Sequence, residues 1–309
     1  LCPVSWLYQA VSIKRAQSIQ PYVSSLPVLC VGNVVAGGAG KTPTVLALAT
    51  LLQTMGQTPC ILSRGYGGSF AGPLQVDPRH HDASQVGDEP LLLAESAPTW
   101  IARHRVAAMP QIDASGASVV LMDDGLQNPS LHKTGSLLVV DGGYGLGNER
   151  CLPAGPLREP WAAALARADA VVVIGEDRQH IAKKCVNTPV LLAALVPQLD
   201  SLDVAATRWL AFAGIGRPQK FFDTLHGAGA ELAGTARFAD HHPYREAELQ
   251  SLAERAERAN AALITTQKDH RRLPKVWQTR IQVLPVTLEF DTRSQWWLNA
   301  WLTKLCAVR

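Results

Sequence analysis

Short, wholly apolar runs recur along the chain, each closed by glycine or by a cluster of polar residues, with stretches of helix formers between them. Runs of this kind, without polar alternation, predict parallel strands covered on both faces. The first leads from Val28 through Val31 into a glycine-rich turn, and residues 41–53 behind it predict a helix. Further strands are expected at residues 57–62, 99–102, 117–122, 136–140, 170–174 and 189–193, with a helix opened by Pro90 and a helical turn over 103–109. Near residue 208 the pattern starts again: a strand at 209–213, a glycine turn over 214–220, a helix at 221–225, a polar helix over 245–260 and a strand at 262–266. Residues 295–305 predict a last helix with Trp297, Trp301 and Leu305 on one stripe, a pattern of core packing, with membrane contact as the alternative. Strands alternating with helices in this way predict an α/β fold with a largely parallel sheet, helices on both faces, and a second, smaller α/β domain.

Composition narrows the function classes. With 47% hydrophobic and 18% charged residues over 309 positions, the chain is an ordinary globular one. A net charge of +3 and the lack of a basic run interleaved with aromatics argue against a nucleic-acid partner. The six cysteines, at positions 2, 30, 60, 151, 185 and 306, form no C-x-x-C pair and no cysteine–histidine ligand spacing. They read as reduced, mostly buried small hydrophobes, and no zinc site is suggested. No apolar stretch reaches the ~18 residues of a transmembrane helix. The start is nevertheless apolar and aromatic, with Trp6, Leu7 and Tyr8 ahead of Lys14 and Arg15. A membrane-interfacial helix has this composition, and so does a helix docked on the protein itself. The chain also begins without an initiator methionine, so upstream residues are expected.

Candidate chemistry starts at the first glycine turn. Gly37, Gly38, Ala39 and Gly40 offer successive backbone N–H groups with little side-chain cover, and the following helix aims its positive end at the same point. Lys41 is a point charge for the β- and γ-phosphates, and the Thr42 hydroxyl is placed to hold Mg²⁺. The strict pattern G-x-x-x-x-G-K-[ST] would need glycine at position 35, where Val35 stands. The strand before and the helix after still mark a phosphate cradle, so the fold class expected is P-loop NTPase-like. Downstream, the apolar strand 117–122 runs into Asp123 and Asp124, which is how a P-loop enzyme places a carboxylate beside Mg²⁺. Arg64, between a strand and glycines, is a candidate for anion contact.

Other polar clusters are more open. Asp88 and Glu89 stand before Pro90, and on spacing alone two acids at a helix start read as caps. Asp240, His241 and His242 share a loop with no third metal ligand nearby, which favours a catalytic or hydrogen-bonding role over a metal. Gln267, Lys268 and Asp269 close a strand, near the nucleotide or as salt-bridging structure. Arg158 and Glu159 are held between prolines in a stretch without regular structure.

Together these motifs resemble one family, the tetraacyldisaccharide 4'-kinases (lipid A 4'-kinases) of Gram-negative bacteria. The matching pieces are VGNVVAGGAGKTP at 31–43, SRGYGG at 63–68, GDEP at 87–90, DDGLQ at 123–127, LPAGPLREP at 152–160, FAGIGRP at 212–218, FADH at 238–241 and TQKD at 266–269. They fall in the family's order across nearly the whole chain, and Val35 is a departure the family shares.

The resemblance implies an ATP- and Mg²⁺-dependent kinase that moves the γ-phosphoryl group to the 4'-hydroxyl of tetraacyldisaccharide 1-phosphate, forming lipid IVA in lipid A biosynthesis. It implies that Asp88 and His241 form a catalytic pair, Asp88 accepting the hydroxyl proton and His241 positioning or tuning it from the other domain. Glu89, Gln127, Arg158 and Glu159 become candidates for holding the sugar acceptor. A lipid substrate turns the N-terminal segment into a membrane-facing element, although it looks shorter than the family's, and places the protein peripherally on the cytoplasmic face of the inner membrane. No obligate protein partner is implied. The expected units are residues 1–20 as the interfacial helix, 21–206 as the P-loop kinase domain, 207–290 as the smaller domain closing the cleft, and 291–309 as a helix packing back on the first. Two rivals remain from the motifs alone: a P-loop amidoligase or carboxylase acting on a soluble acid, and a membrane-recruited ATPase switch.

Overall fold

The computed structural model describes Ser5, residues 18–199 and residues 202–307. The expected N-terminal helix, with Trp6, Leu7, Tyr8, Lys14 and Arg15, lies outside the described residues. Thirteen strands are described: β1 (Val28–Gly32), β2 (Pro59–Ser63), β3 (Leu74–Gln75), β4 (Thr99–Ile101), β5 (Val119–Asp123), β6 (Gly135–Asp141), β7 (Ala170–Ile174), β8 (Val190–Pro197), β9 (Arg208–Ala213), β10 (Glu231–Arg237), β11 (Ala262–Thr266), β12 (Gln282–Leu284) and β13 (Val286–Phe290). Nine form one sheet in the order β13-β8-β7-β6-β1-β5-β2-β4-β3, and four form a second in the order β10-β9-β11-β12.

The larger sheet is parallel except at its two edges, where β3 and β13 run antiparallel. Its middle strands are buried along their whole length because both faces are covered. In β1, Leu29 and Val31 pack in one core layer with Val45, Leu48 and Leu52 of the helix Lys41–Thr54. Val28 and Cys30 enter the opposite layer, with Met122, Leu138 and Val173. β1 lies between β5 and β6, so the chain turns both ways from it, and its carboxyl end is where an open α/β sheet places a ligand.

The second sheet is wholly parallel. Trp209, Ala211 and Ala213 of β9 pack on Phe221, Phe222 and Leu225 of the helix Pro218–Gly227, and the other face meets the helix Glu246–Arg258. The last helix, Thr292–Ala307, returns to the larger sheet, burying Leu298 and Leu302 and stacking Trp297 on Trp301 at 5.6 Å. The span 207–290 expected for the smaller unit therefore runs one strand too far. β13 pairs with β8, Val286 opposite Pro197, so the chain is back in the larger sheet from Val286. Its alternation Val286, Leu288, Phe290 specifies a strand with one buried face but not the sheet it joins.

Of the cysteines, Cys30, Cys60, Cys151 and Cys185 are buried and Cys306 is partly so, all as free thiols. Among the described residues no helix is long and apolar enough to cross a membrane.

Candidate active site

Between the two units lies a cleft of about 1440 Å³, bordered by the turn after β1, the end of β5 and the loop after β10. The turn after β1 depends on glycine geometry. Gly37 (φ 111°) and Gly40 (φ 93°) are left-handed, and a Cβ on Gly40 would lie 2.4 Å from Ile174 Cδ1. No side chain caps the helix Lys41–Thr54, which leaves its first-turn amides open to an anion. Lys41 and Thr42 are nearly buried and line the cleft. Lys41 Nζ donates to Asn33 Oδ1 at 3.3 Å and lies 3.7 Å from Asp124 Oδ2.

The two aspartates at the end of β5 face different company. Asp124 sits at φ 50° and accepts from Arg158 Nη1 at 2.9 Å on both oxygens. Burial raises its pKa, but Lys41 and Arg158 more than reverse that, and the net shift is downward. Asp123 is 1% exposed; its Oδ2 accepts from Ser63 Oγ at 3.3 Å, while its Oδ1 has no hydrogen-bond partner. Burial, with the neighbouring Glu89 and Asp124 carboxylates, pushes its pKa up to about 7. A buried carboxylate oxygen without a donor is expensive, and a divalent cation is the partner this donor set fits. Asp123, with its free oxygen, and the Thr42 hydroxyl, which lines the same cleft, are the groups that could hold such an ion, whereas Asp124 is already paired with Lys41 and Arg158.

Across the cleft stands the third group. Asp88 opens the helix Asp88–Leu93 and is buried, and His241 reaches it from the loop after β10, with Nδ1 3.2 Å from Asp88 Oδ2. His241 has φ 57° and is held by its own N–H donating to Gly214 O at 3.1 Å and by the edge of Tyr66 at 5.5 Å. The Arg272 guanidinium adds a charge, with Nε 3.2 Å from the same Asp88 oxygen but not aligned for a hydrogen bond. Its Nη2 donates to Asp269 Oδ1 and to Gly214 O, both at 2.8 Å. Asp269 is fully buried and also accepts from Gly214 N–H, Tyr244 Oη and Thr266 Oγ1, at 2.9, 2.7 and 2.6 Å. It therefore ties the His241 loop to the arginine that faces Asp88. Burial raises the Asp88 pKa, but the His241 bond and the charges of Lys268, His241 and Arg272 outweigh it and hold the carboxyl below its usual range. The bond to Asp88 in turn raises the His241 pKa, against the opposing effect of burial. Asp88 stands behind His241, and the imidazole is the member of the pair that lines the cleft.

Two sets of contacts close the units on each other. On the acceptor side the helix Gln267–Arg272 packs on the helix Asp88–Leu93, joined by Lys268–Glu89 at 2.6 Å, Arg271–Glu95 and Arg272–Asp88. On the phosphate-loop side Arg217 Nη2 donates to Gly38 O at 2.5 Å. Asp141, at the end of β6, receives Arg217 Nη1 at 2.9 Å and Lys220 Nζ at 2.8 Å.

The remaining expected residues fall around the same cleft. Gln127 Nε2 donates to Asn33 O at 2.8 Å and to Glu159 Oε1 at 2.9 Å, and Glu159 is also paired with Arg167. Arg64 is exposed on the cleft wall. Four cations escaped the sequence reading: Arg105, buried beside Asp123, together with Arg217, Lys220 and Arg272. The FAGIGRP stretch could have flagged Arg217; nothing along the chain pairs Arg272 with Asp88.

A phosphate-binding turn, a carboxylate-ended neighbouring strand and a second unit closing over both define a P-loop nucleotide-dependent phosphotransferase. The family model for tetraacyldisaccharide-1-P 4'-kinase matches residues 1–305, and the chain belongs to that family. The tetraacyldisaccharide 4'-kinase of Rhodospirillum centenum is 49% identical over 94% of this chain and 87% of its own. That of Methylorubrum extorquens strain PA1 is 54% identical over 87% of this chain and 83% of its own. Among solved structures, the "apo" form LpxK from Aquifex aeolicus in complex with ATP superposes with a TM-score of 0.77 at 24% identity, covering 98% of this chain and 97% of that one. That likeness establishes the shared fold.

Proposed function

We propose that the cleft transfers the γ-phosphoryl group of ATP to the 4'-hydroxyl of tetraacyldisaccharide 1-phosphate, the lipid disaccharide named by the family. One observation carries the reading: the Asp88–His241 pair stands across the cleft from Lys41, Thr42 and Asp123. A sugar hydroxyl is a poor nucleophile at neutral pH, so a kinase for it needs an oriented proton acceptor facing the phosphate cradle. An amidoligase or an ATPase switch does not.

In this reading the triphosphate lies on the amides of residues 37–42, with Lys41 turning from Asn33 and Asp124 to its oxygens. Mg²⁺ on Thr42 and Asp123 would neutralise charge on the β- and γ-phosphates. The 4'-hydroxyl approaches His241, whose Nδ1–H is held by Asp88, leaving Nε2 to accept the proton. Asp88 fixes the tautomer and steadies the imidazolium that forms. Closure of the smaller unit excludes water, which would otherwise take the phosphoryl group.

Contact with the cytoplasmic face of the inner membrane belongs to the same reading. Exposed Tyr22 and Val23 continue the apolar character of the segment before them, and nearby Ile19 lines the cleft. The test is transfer from γ-labelled ATP to tetraacyldisaccharide 1-phosphate in mixed micelles, with wild type, Lys41→Ala and His241→Gln side by side. Label on the lipid with wild type, collapsing in both variants, is expected. No labelled lipid from folded, ATP-binding wild-type protein would overturn the assignment.

A further inference from the structure

Lys268 is the second residue of the helix Gln267–Arg272, which starts where β11 ends, at the ligand-binding edge of the smaller sheet. Thr266 caps that helix, its Oγ1 accepting from Asp269 N–H at 3.1 Å, so the position of Lys268 is set by the buried Asp269 hub. The side chain lines the cleft beside Thr266 and Gln267, and its ammonium lies 2.6 Å from Glu89 Oε1.

A tie between the units would not need this placement. Arg271 and Arg272, the next cations along the same helix, already bind Glu95 and Asp88, and none of Arg271, Glu95, Arg272 and Asp88 lines the cleft. Lys268 and Glu89 do line it. The charge of Lys268 acts on four groups at once: it favours the ionised forms of Asp88, Glu89 and Asp123 and opposes protonation of His241. The ammonium shares one cleft with the imidazole of the proton-acceptor pair and with the metal-fitting Asp123 carboxylate. In the kinase reading the phosphoryl group is transferred within that cleft.

The geometry points to Lys268 as a second phosphoryl-contacting cation, brought into the site by the smaller unit and held ready by Glu89. The inference rests on the kinase reading above and names a catalytic residue for it. In the transfer step the bond from the 4'-oxygen to the γ-phosphorus forms, and the bond from that phosphorus to the β,γ-bridging oxygen breaks. ADP leaves with that electron pair, and the hydroxyl proton passes to the Asp88–His241 pair. Lys268 stays protonated throughout, leaving Glu89 for the equatorial oxygens of the γ-phosphoryl group, where negative charge is spread in the transition state. The unbranched stem of lysine allows that exchange of partners without backbone movement.

The test uses the whole chain with Lys268→Ala and Lys268→Arg. Wild type is assayed first for transfer to the lipid, so that failure of the kinase reading itself is seen separately. With Lys268→Ala, kcat is expected to fall about 10²- to 10³-fold, the range for removing one transition-state donor, with Lys268→Arg recovering part of it. Affinities for ADP and for ADP with aluminium fluoride, a mimic of the transferring group, give the second readout. Wild type should bind the mimic far more tightly than ADP alone; Lys268→Ala should lose that difference and keep its ADP affinity within about threefold. A Lys268→Ala protein with kcat within threefold of wild type would overturn the inference. So would equal weakening of ADP and of the mimic, which is what a mere tie between the units produces.

Discussion

Replacing Asp88 separates its two jobs. The carboxylate is 3% exposed and faces Arg272, whose side chain is 6% exposed, as well as the His241 ring. Removing one partner of a buried ion pair costs about 3–5 kcal/mol when the other is left alone. Arg272 is not left alone, because Asp269 and the Gly214 carbonyl still hold it. The expected loss for Asp88→Ala is therefore about 2–3 kcal/mol, below that range. At roughly 2–4 °C per kcal/mol for a chain of this size class, the melting temperature should fall by about 4–12 °C. Asp88→Asn keeps the shape of the side chain and should lose about half as much. Both should lose kcat alike, by 10²-fold or more, since an amide neither holds the imidazole in the productive tautomer nor stabilises its charged form. ATP affinity should stay near wild type, the phosphate cradle being on the other side of the cleft. Thermal denaturation, single-turnover transfer and nucleotide titration on the three proteins make the comparison. Asp88→Asn with kcat within threefold of wild type would refute the proton-acceptor pair, and Asp88→Ala melting with wild type would refute the buried-charge reasoning.

Four further outcomes follow from the same structure. Arg217→Ala removes a charged donor from Gly38 O, a bond of about 1.5 kcal/mol, and should weaken ATP binding about tenfold in isothermal titration with the acceptor KM unchanged. The pH–rate profile should rise with its acid limb above 6.5, because the His241 pKa is raised and its neutral form accepts the proton; a limb below 6.5 would count against it. The same pair stabilises the fold in opposite pH windows: the His241 contribution is full below 6.5 and lost as pH rises through its raised pKa, and that of Asp88 is full above about 4 and lost as pH falls through its lowered one. Gly32→Ala would place a Cβ 2.5 Å from Leu126 Cβ and should cost about 1–3 kcal/mol in denaturant unfolding, the range for overpacking a full core.

The fold was legible where burial acts on both faces of a strand. β1, β5, β6 and β7 read directly from their uninterrupted apolar runs, and the P-loop class followed from what lies at the end of β1. β10 was missed because Glu231–Arg237 is half-exposed, carries Gly234 at a register irregularity and has no apolar run. β3, two residues long, leaves no pattern at all. The site was legible as motifs but not as a network. Asp123 and Asp124 look alike in sequence, and only tertiary partners separate the one with a free oxygen from the one clamped by Arg158. Asp88 at a helix start has, on spacing alone, the signature of a cap. Its distance to His241 is a property of two units meeting. Lys268 and Asp269 are illegible for the same reason: their contacts are with Glu89 and Gly214, which nothing local connects to them.

The route of the chain through the smaller sheet bears on how the protein is made. It leaves the larger sheet after β8 and returns at β13 through the single residue Pro285, and the exit and return are hydrogen-bonded side by side, Gln198 N–H to Pro285 O at 2.9 Å. The ends of the insertion thus meet at about one strand spacing, ~5 Å. During synthesis β1 to β8 can assemble before the smaller sheet exists, and β8 then waits as an open edge. The segment from Val286 onward covers it, with β13 along its side and the helix Thr292–Ala307 over its face. A chain stopped short of Val286 would carry its whole phosphate-binding turn yet present an unpaired strand to its neighbours, which makes the late residues guardians against aggregation.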